Sequence, residues 1–100
     1  PDSSSRYYSA SELSGLTDWD LFIARNEIYA RHGRGFKMQN LRDYFNRCTW
    51  YSQRYDADTF DAYHAGEMSE LEMDNIMTML NIEQSRGSRY PYGTGYETPW

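Results

Sequence analysis

Apolar positions return every three or four residues in separate stretches of the chain, with polar runs between them. In the first stretch Trp19, Phe22, Ile23, Tyr29 and Ala30, with Asn26 among them, share one side of a helix. Thr17 followed by Asp20 resembles a capping box with Asp in place of Glu, and Leu16 stands where a hydrophobic staple would. Asp18 and Asp20 suit the positive end of that helix, and Arg31 and His32 suit the negative end. Gly33 follows as the left-handed residue that closes a helix, and Gly35 adds a second joint. A second helix is predicted from Gln39 or Asn40 to about Arg47, with Leu41, Tyr44 and Phe45 facing inward and Cys48 one step on. Thr49, Trp50 and Tyr51 then favour extended or packed-loop backbone. Residues 56–60 suit a short helical turn, with Phe60 and Tyr63 directed inward. The last long helix begins near Ser69, which forms a capping box with Glu72. Leu71, Ile76, Met79, Leu80 and Glu83 roughly share its face, and it ends by Ser85 or Gly87.

The flanks lack this periodicity. Residues 1–14 read as a loose polar arm that packs through Tyr7 and Tyr8, and residues 86–100 as an irregular tail rich in Tyr, Gly and Pro. Between them, residues 15–85 form the helical domain. The expected fold is all-α: a compact orthogonal bundle of three to four short helices joined by long ordered loops. A domain of this size buries only about 60–70% of the surface its unfolded chain exposes, so its core needs large side chains. The composition supplies 10 Tyr, 3 Trp, 4 Phe and 5 Met. Trp19, Phe22, Tyr29, Tyr44, Phe45 and Trp50 are the expected core.

Charge narrows the functional classes. A net charge of -5 disfavours a binder of nucleic-acid backbones. Its distribution is uneven: Arg25, Arg31, Arg34, Lys37, Arg42, Arg47 and Arg54 crowd the first half, and no Lys or Arg occurs from Tyr55 to Ile82. The simplest use of this asymmetry is internal, an acidic half docked on a basic one; a bipolar surface that meets partners is the rival use. Cys48 is the single cysteine, so no internal disulfide can form. No apolar run is long enough for a transmembrane helix. The chain begins with Pro1, and any signal peptide is expected to lie outside it.

Several residues invite chemical readings. Asn is a poor helix-interior residue unless its amide has a task, so Asn26 is read as a buried amide bonded to loop backbone near Trp50 or the turn after Gly33. Glu27 stands four residues before Arg31, the favourable order for a helical ion pair. His32 is read as a helix-end or loop-bonding residue. Cys48 with His32 would make a thiol hydrolase, but Cys48 sits on an apolar face and reads as a small hydrophobe. Arg31, Arg34 and Lys37 surround two glycines, without the pattern of a phosphate-binding loop. Asp56, Asp58 and Glu67 match three positions of a calcium loop, but Asp61 stands where its glycine is required. No catalytic residue, metal ligand or cofactor site is therefore assigned.

The run Leu21-Phe22-Ile23-Ala24-Arg25-Asn26-Glu27-Ile28-Tyr29-Ala30-Arg31-His32-Gly33-Arg34 closely resembles the signature of the YARHG domain family. Phe36, Leu41, Tyr44, Phe45 and Trp50-Tyr51 agree downstream, as do Met68, Glu72, Asn75, Ile76 and Leu80. The likeness covers about Leu16 to Glu83; at Met68-Ser69 the family commonly has Leu-Asn. It implies a small helical module of secreted or envelope-attached bacterial proteins, and says almost nothing about substrate. The expected function is a noncatalytic extracellular or cell-envelope interaction module that meets an anionic polymer, a glycan or a protein. Arg31, Arg34, Trp50, Tyr51 and Tyr55 are the expected exposed contacts. Trp19, Phe22, Asn26, Tyr29, His32, Gly33, Tyr44, Phe45 and Trp50 are assigned structural roles. A structural accessory that stabilises or spaces a larger protein is the second reading, and the Cys48–His32 hydrolase the third.

Overall fold

A computed structural model describes residues 6–88 and 90. Within them the chain is all-α, with helices α1 (Ala10–Leu13), α2 (Asp18–Arg31), α3 (Gln39–Asn46), α4 (Ala57–Tyr63) and α5 (Glu70–Arg86), and a 3-10 turn at Ala65–Glu67 before α5. Local chemistry explains each start. The Thr17 hydroxyl accepts from Asp20 N–H at the head of α2, and Asp56 accepts from Thr59 N–H at the head of α4. Ser9 with Glu12 and Ser69 with Glu72 form full capping boxes for α1 and α5. Gly87 closes α5 in the left-handed conformation.

The two long helices, α2 and α5, pack against each other, and α2 is buried almost all round. Leu21, Phe22, Ile28 and Tyr29 are buried along α2, where they meet Leu41 and Phe45 of α3, Phe60 of α4, and Ile76 and Met79 of α5 in one core. Burying each such side chain stabilises the fold by about 1.5–3 kcal/mol. The aromatic residues are distributed differently from expectation. Trp19 and Tyr44 are only half-buried and pack on the core's edge, where their rings meet 6.4 Å apart. Trp50, expected inside, keeps 39% of its surface exposed, and Tyr63 turns outward with 80% exposed. The helix α4 runs on to Tyr63, which carries that ring past the face on which Phe60 is buried.

The N-terminal arm is not loose where it is described. Asn75 of α5 clasps it with both ends of its amide, Nδ2 donating to Arg6 O and Oδ1 accepting from Tyr8 N–H, each at 2.8 Å. The clasp delivers α1 to α5, and Leu13 enters the core. At the other end Ser88 is buried, and the Tyr90 ring stacks on Phe22 at 5.1 Å and tilts against Trp19 at 5.3 Å. The rest of the expected aromatic tail, residues 89 and 91–100, lies outside the described residues.

The charge asymmetry is used internally. Arg25 pairs with Glu83 at 2.6 Å, Arg34 with Asp61 at 2.9 Å, and Lys37 with Asp58 at 2.6 Å. Each pair joins a cation of the first half to a carboxylate of the second.

Candidate functional site

The residues after the buried part of α2 converge on one junction, and each meets a different part of the molecule. Tyr29 is buried, its ring edge-on to Phe60 of α4 at 6.2 Å. Its carbonyl accepts from both His32 N–H and Arg34 N–H, which folds the chain back on the helix end. Arg31 points outward and lays its guanidinium 3.9 Å above the Trp50 ring, while Nε and Nη2 donate to Glu27 at 3.3 and 3.2 Å. His32 Nε2 lies 3.0 Å from both carboxylate oxygens of Glu72. Glu72 also accepts from Ser69 N–H, so the end of α2 and the start of α5 share one carboxylate.

Gly33 makes the bend. Its φ is +85°, where a β-carbon is strained, and a β-carbon there would stand 2.7 Å from the Arg54 side chain. The Gly33 carbonyl accepts from Arg54 N–H and Tyr55 N–H at 2.8 and 3.0 Å, and Gly35 N–H donates back to Tyr55 O at 2.8 Å. A short parallel bridge between Arg34 and Tyr55 results. It satisfies polar backbone groups that would otherwise be buried without partners.

Arg34, expected at the surface, is 1% exposed. Its guanidinium makes a two-pronged bond to Asp61, Nε to Oδ1 at 2.9 Å and Nη2 to Oδ2 at 3.0 Å, and Nη1 donates to Gly35 O. The bridge to Tyr55 draws the backbone of Arg34 inward, and Asp61 on α4 meets its side chain. Tyr51 is half-buried; its hydroxyl donates to Arg34 O at 2.7 Å, and its ring packs on Phe45 and Phe36. Tyr55 is half-buried too, its ring stacked 3.8 Å from the His64 ring. Of the five expected contact residues, only Arg31 and Trp50 are exposed, and they touch each other.

Asn26 is wholly buried, but its amide does not reach the loop near Trp50 or the turn after Gly33. Nδ2 donates instead to Phe22 O, one turn back in its own helix, at 2.9 Å. Cys48 and His32 are committed to different partners: the thiol faces Tyr44 O at 3.6 Å and the imidazole faces Glu72. Among the described residues, no group of three or more His, Cys, Asp or Glu side chains is placed to hold a metal ion.

Sequence reasoning missed the most buried charges. Arg25 and Glu83 have no exposed surface, and Arg25 Nε donates to Glu83 Oε2 at 2.6 Å across the α2–α5 interface. Burial pushes the Glu83 carboxyl above its usual range, while the Arg25 bond and charge pull it back. A signal was present: Arg25 sits inside the run Leu21 to Ile28, and Glu83 shares a face with Ile76, Met79 and Leu80.

No curated protein and no solved structure matches the chain. A family model does: that of the YARHG domain, over residues 1–84. The signature Tyr29-Ala30-Arg31-His32-Gly33 is the junction just described, and the match takes in the clasped arm and nearly all of α5. The chain belongs to the YARHG domain family.

Proposed function

We propose that this domain is a noncatalytic interaction module that works outside the cytoplasm and meets its partner through Arg31 and Trp50. The location rests on the family, whose members occur in secreted and envelope-attached bacterial proteins. The contact rests on one observation: a guanidinium stacked at 3.9 Å on a tryptophan that is 39% exposed. Glu27 takes Nε and Nη2, so among the described residues Nη1 is the donor left for an acidic group. The flat guanidinium and indole offer a stacking surface beside it. An anionic glycan supplies both a ring face and an acid, and is the partner this pair suits best.

The test is titration of the domain with acidic glycan fragments and with uncharged counterparts, followed through tryptophan fluorescence and amide shifts. Acidic fragments should move the signals of Arg31 and Trp50, and Trp50→Ala should abolish the response. Equal responses to charged and uncharged fragments, or none to either, would remove the assignment.

A specific observation also supports the second reading, a structural accessory within a larger protein. The Arg34 guanidinium, the Tyr51 hydroxyl and Nε2 of His32 are all bonded within the domain. That reading predicts that Arg31→Ala leaves the parent protein's activity unchanged, while substitutions at Tyr29 or Gly33 abolish it.

A further inference from the structure

A cleft of about 200 Å³ opens beside the junction, with Gly35, Lys37, Arg42, Gln53, Asp56 and Asp58 in its lining. Neither Arg31 nor Trp50 contributes to it. It lies below the range of roughly 300–1,000 Å³ that holds drug-sized molecules, so its occupant has few heavy atoms.

The lining carries both signs of charge. Lys37 Nζ and Asp58 Oδ1 form an ion pair at 2.6 Å, with the two side chains 41% and 79% exposed. Arg42 and Asp56 add a second cation and a second carboxylate whose positions are already set. Arg42 donates to Phe36 O at 3.3 Å and to Gln39 Oε1 at 2.8 Å, and Asp56 accepts from Thr59 N–H at 2.7 Å. Gln53 lies across Gly35 so closely that a β-carbon there would stand 2.6 Å from the Gln53 amide carbon. The glycine lets that amide form a wall of the cleft.

These charges select the ligand. A simple anion would meet Asp56 and Asp58, and a simple cation would meet Lys37 and Arg42. A molecule with one charge of each sign finds a partner for both. The Lys37–Asp58 pair is exposed, so water screens it and a competing pair of charges can replace it. We propose that this cleft binds a small zwitterion of amino-acid or dipeptide size, which takes the place of the Lys37–Asp58 ion pair with its carboxylate on Lys37 and its ammonium on Asp58. Arg42 and Asp56 hold the surrounding field, and the Gln53 amide offers a donor and an acceptor to the ligand's own polar groups.

Amide-resolved NMR titration of the full 100-residue chain tests this. The probes are alanyl-alanine, its N-acetylated form, its C-amidated form and free alanine. Alanyl-alanine should shift the amides of Gly35, Gln53 and Asp58 saturably, and each blocked form should bind at least about tenfold more weakly, the equivalent of ~1.4 kcal/mol. Free alanine moving the same amides supports an amino-acid ligand; a response to the dipeptide alone supports the longer one. Lys37→Met and Asp58→Asn should each weaken binding about tenfold while the rest of the spectrum keeps its dispersion. Trp50→Ala should leave this binding intact, which separates the cleft from the surface proposed above. Equal binding of the blocked and free dipeptides overturns the proposal, as does the lack of a saturable shift at about 10 mM, tenfold above a Kd of ~1 mM.

Discussion

Two arginines of the same signature are buried, and their surroundings differ in one respect. Arg25 lies inside the α2–α5 interface opposite a carboxylate with no exposed surface, whereas Arg34 lies at the junction opposite Asp61, which is 22% exposed. Asp61 keeps part of its hydration and accepts two parallel bonds. Glu83 keeps none, and burial raises its pKa despite the cation beside it. The α2–α5 pair is therefore cut off from solvent on both sides, whereas the carboxylate of the junction pair reaches it. A buried ion pair whose desolvation matches its attraction adds little net stability, yet removing one partner strands the other.

The largest expected effect tests that asymmetry. Glu83→Ala should destabilise the domain by about 3–5 kcal/mol, because Arg25 is left charged in an apolar interface. Domains of this class are stable by only about 5–15 kcal/mol, so the variant should melt far lower or fail to fold. Replacing both residues together, Arg25→Met with Glu83→Leu, should restore most of the loss. A double variant no more stable than the single one would mean that the pair itself, and not its completeness, supports the interface. Arg34→Lys should cost less, about 1–3 kcal/mol, since one charged bond to Asp61 survives and water reaches the carboxylate. Gly33→Val belongs in the same range, about 1–3 kcal/mol, from the positive φ and the Arg54 side chain in its way. Thermal melts in one buffer rank all four.

Titration sharpens the comparison further. The folded-state pKa of Glu83 lies above its usual value of 4.5. Between the two values the folded protein holds more protons than the unfolded chain, so this group's contribution to stability falls as pH rises through the window. Asp56 and Glu67 act in the opposite sense. The Thr59 backbone N–H lowers the first and the His64 side chain lowers the second. Their contributions are complete above the usual values of 3.8 and 4.5, and are lost as pH falls through the depressed ones. Melting temperatures across roughly pH 3 to 7 should therefore change slope in Glu83→Gln: the decline just above pH 4.5 disappears and the acid-side loss remains. An unchanged profile would show Glu83 titrating as an exposed carboxyl does.

What could be read from the sequence follows from how far apart the interacting residues stand. Thr17, Ser69 and Gly33 announce helix ends because a cap needs only the next three residues or one unusual φ. The bond from Arg25 to Glu83 spans 58 residues, and the Asn75 clasp on the arm spans 67 and 69. No local pattern encodes such pairings: the apolar run around Arg25 marks its burial but not its partner, and residues 6–14 resembled a loose arm. Arg34 misled for a related reason. An arginine between two glycines reads as exposed unless the Asp61 that will meet it, 27 residues on, is already placed. The charge asymmetry of the two halves held this information in aggregate: it foretold internal docking without naming the pairs.

The smallest effect on stability should come from the arginine that stayed outside. Arg31 is 40% exposed, its bond to Glu27 is a surface pair within one helix, and its stack on Trp50 is open to water. A surface pair within one helix contributes about 0.3–0.5 kcal/mol and an exposed cation–aromatic contact about 0.5–1, together roughly 1 kcal/mol, so Arg31→Ala should lower the melting point by roughly 4–8 °C in a domain this size. Trp50→Ala should cost more, because the indole also packs edge-on to Phe45 at 6.0 Å and to Tyr51 at 6.1 Å. If Arg31→Ala leaves the fold intact but ends the response to acidic glycans, a side chain of little structural value is serving contact. Should Arg31→Ala instead destabilise the domain as much as Arg34→Lys, the stack on Trp50 is a third internal tie of the junction, and the structural accessory becomes the better reading.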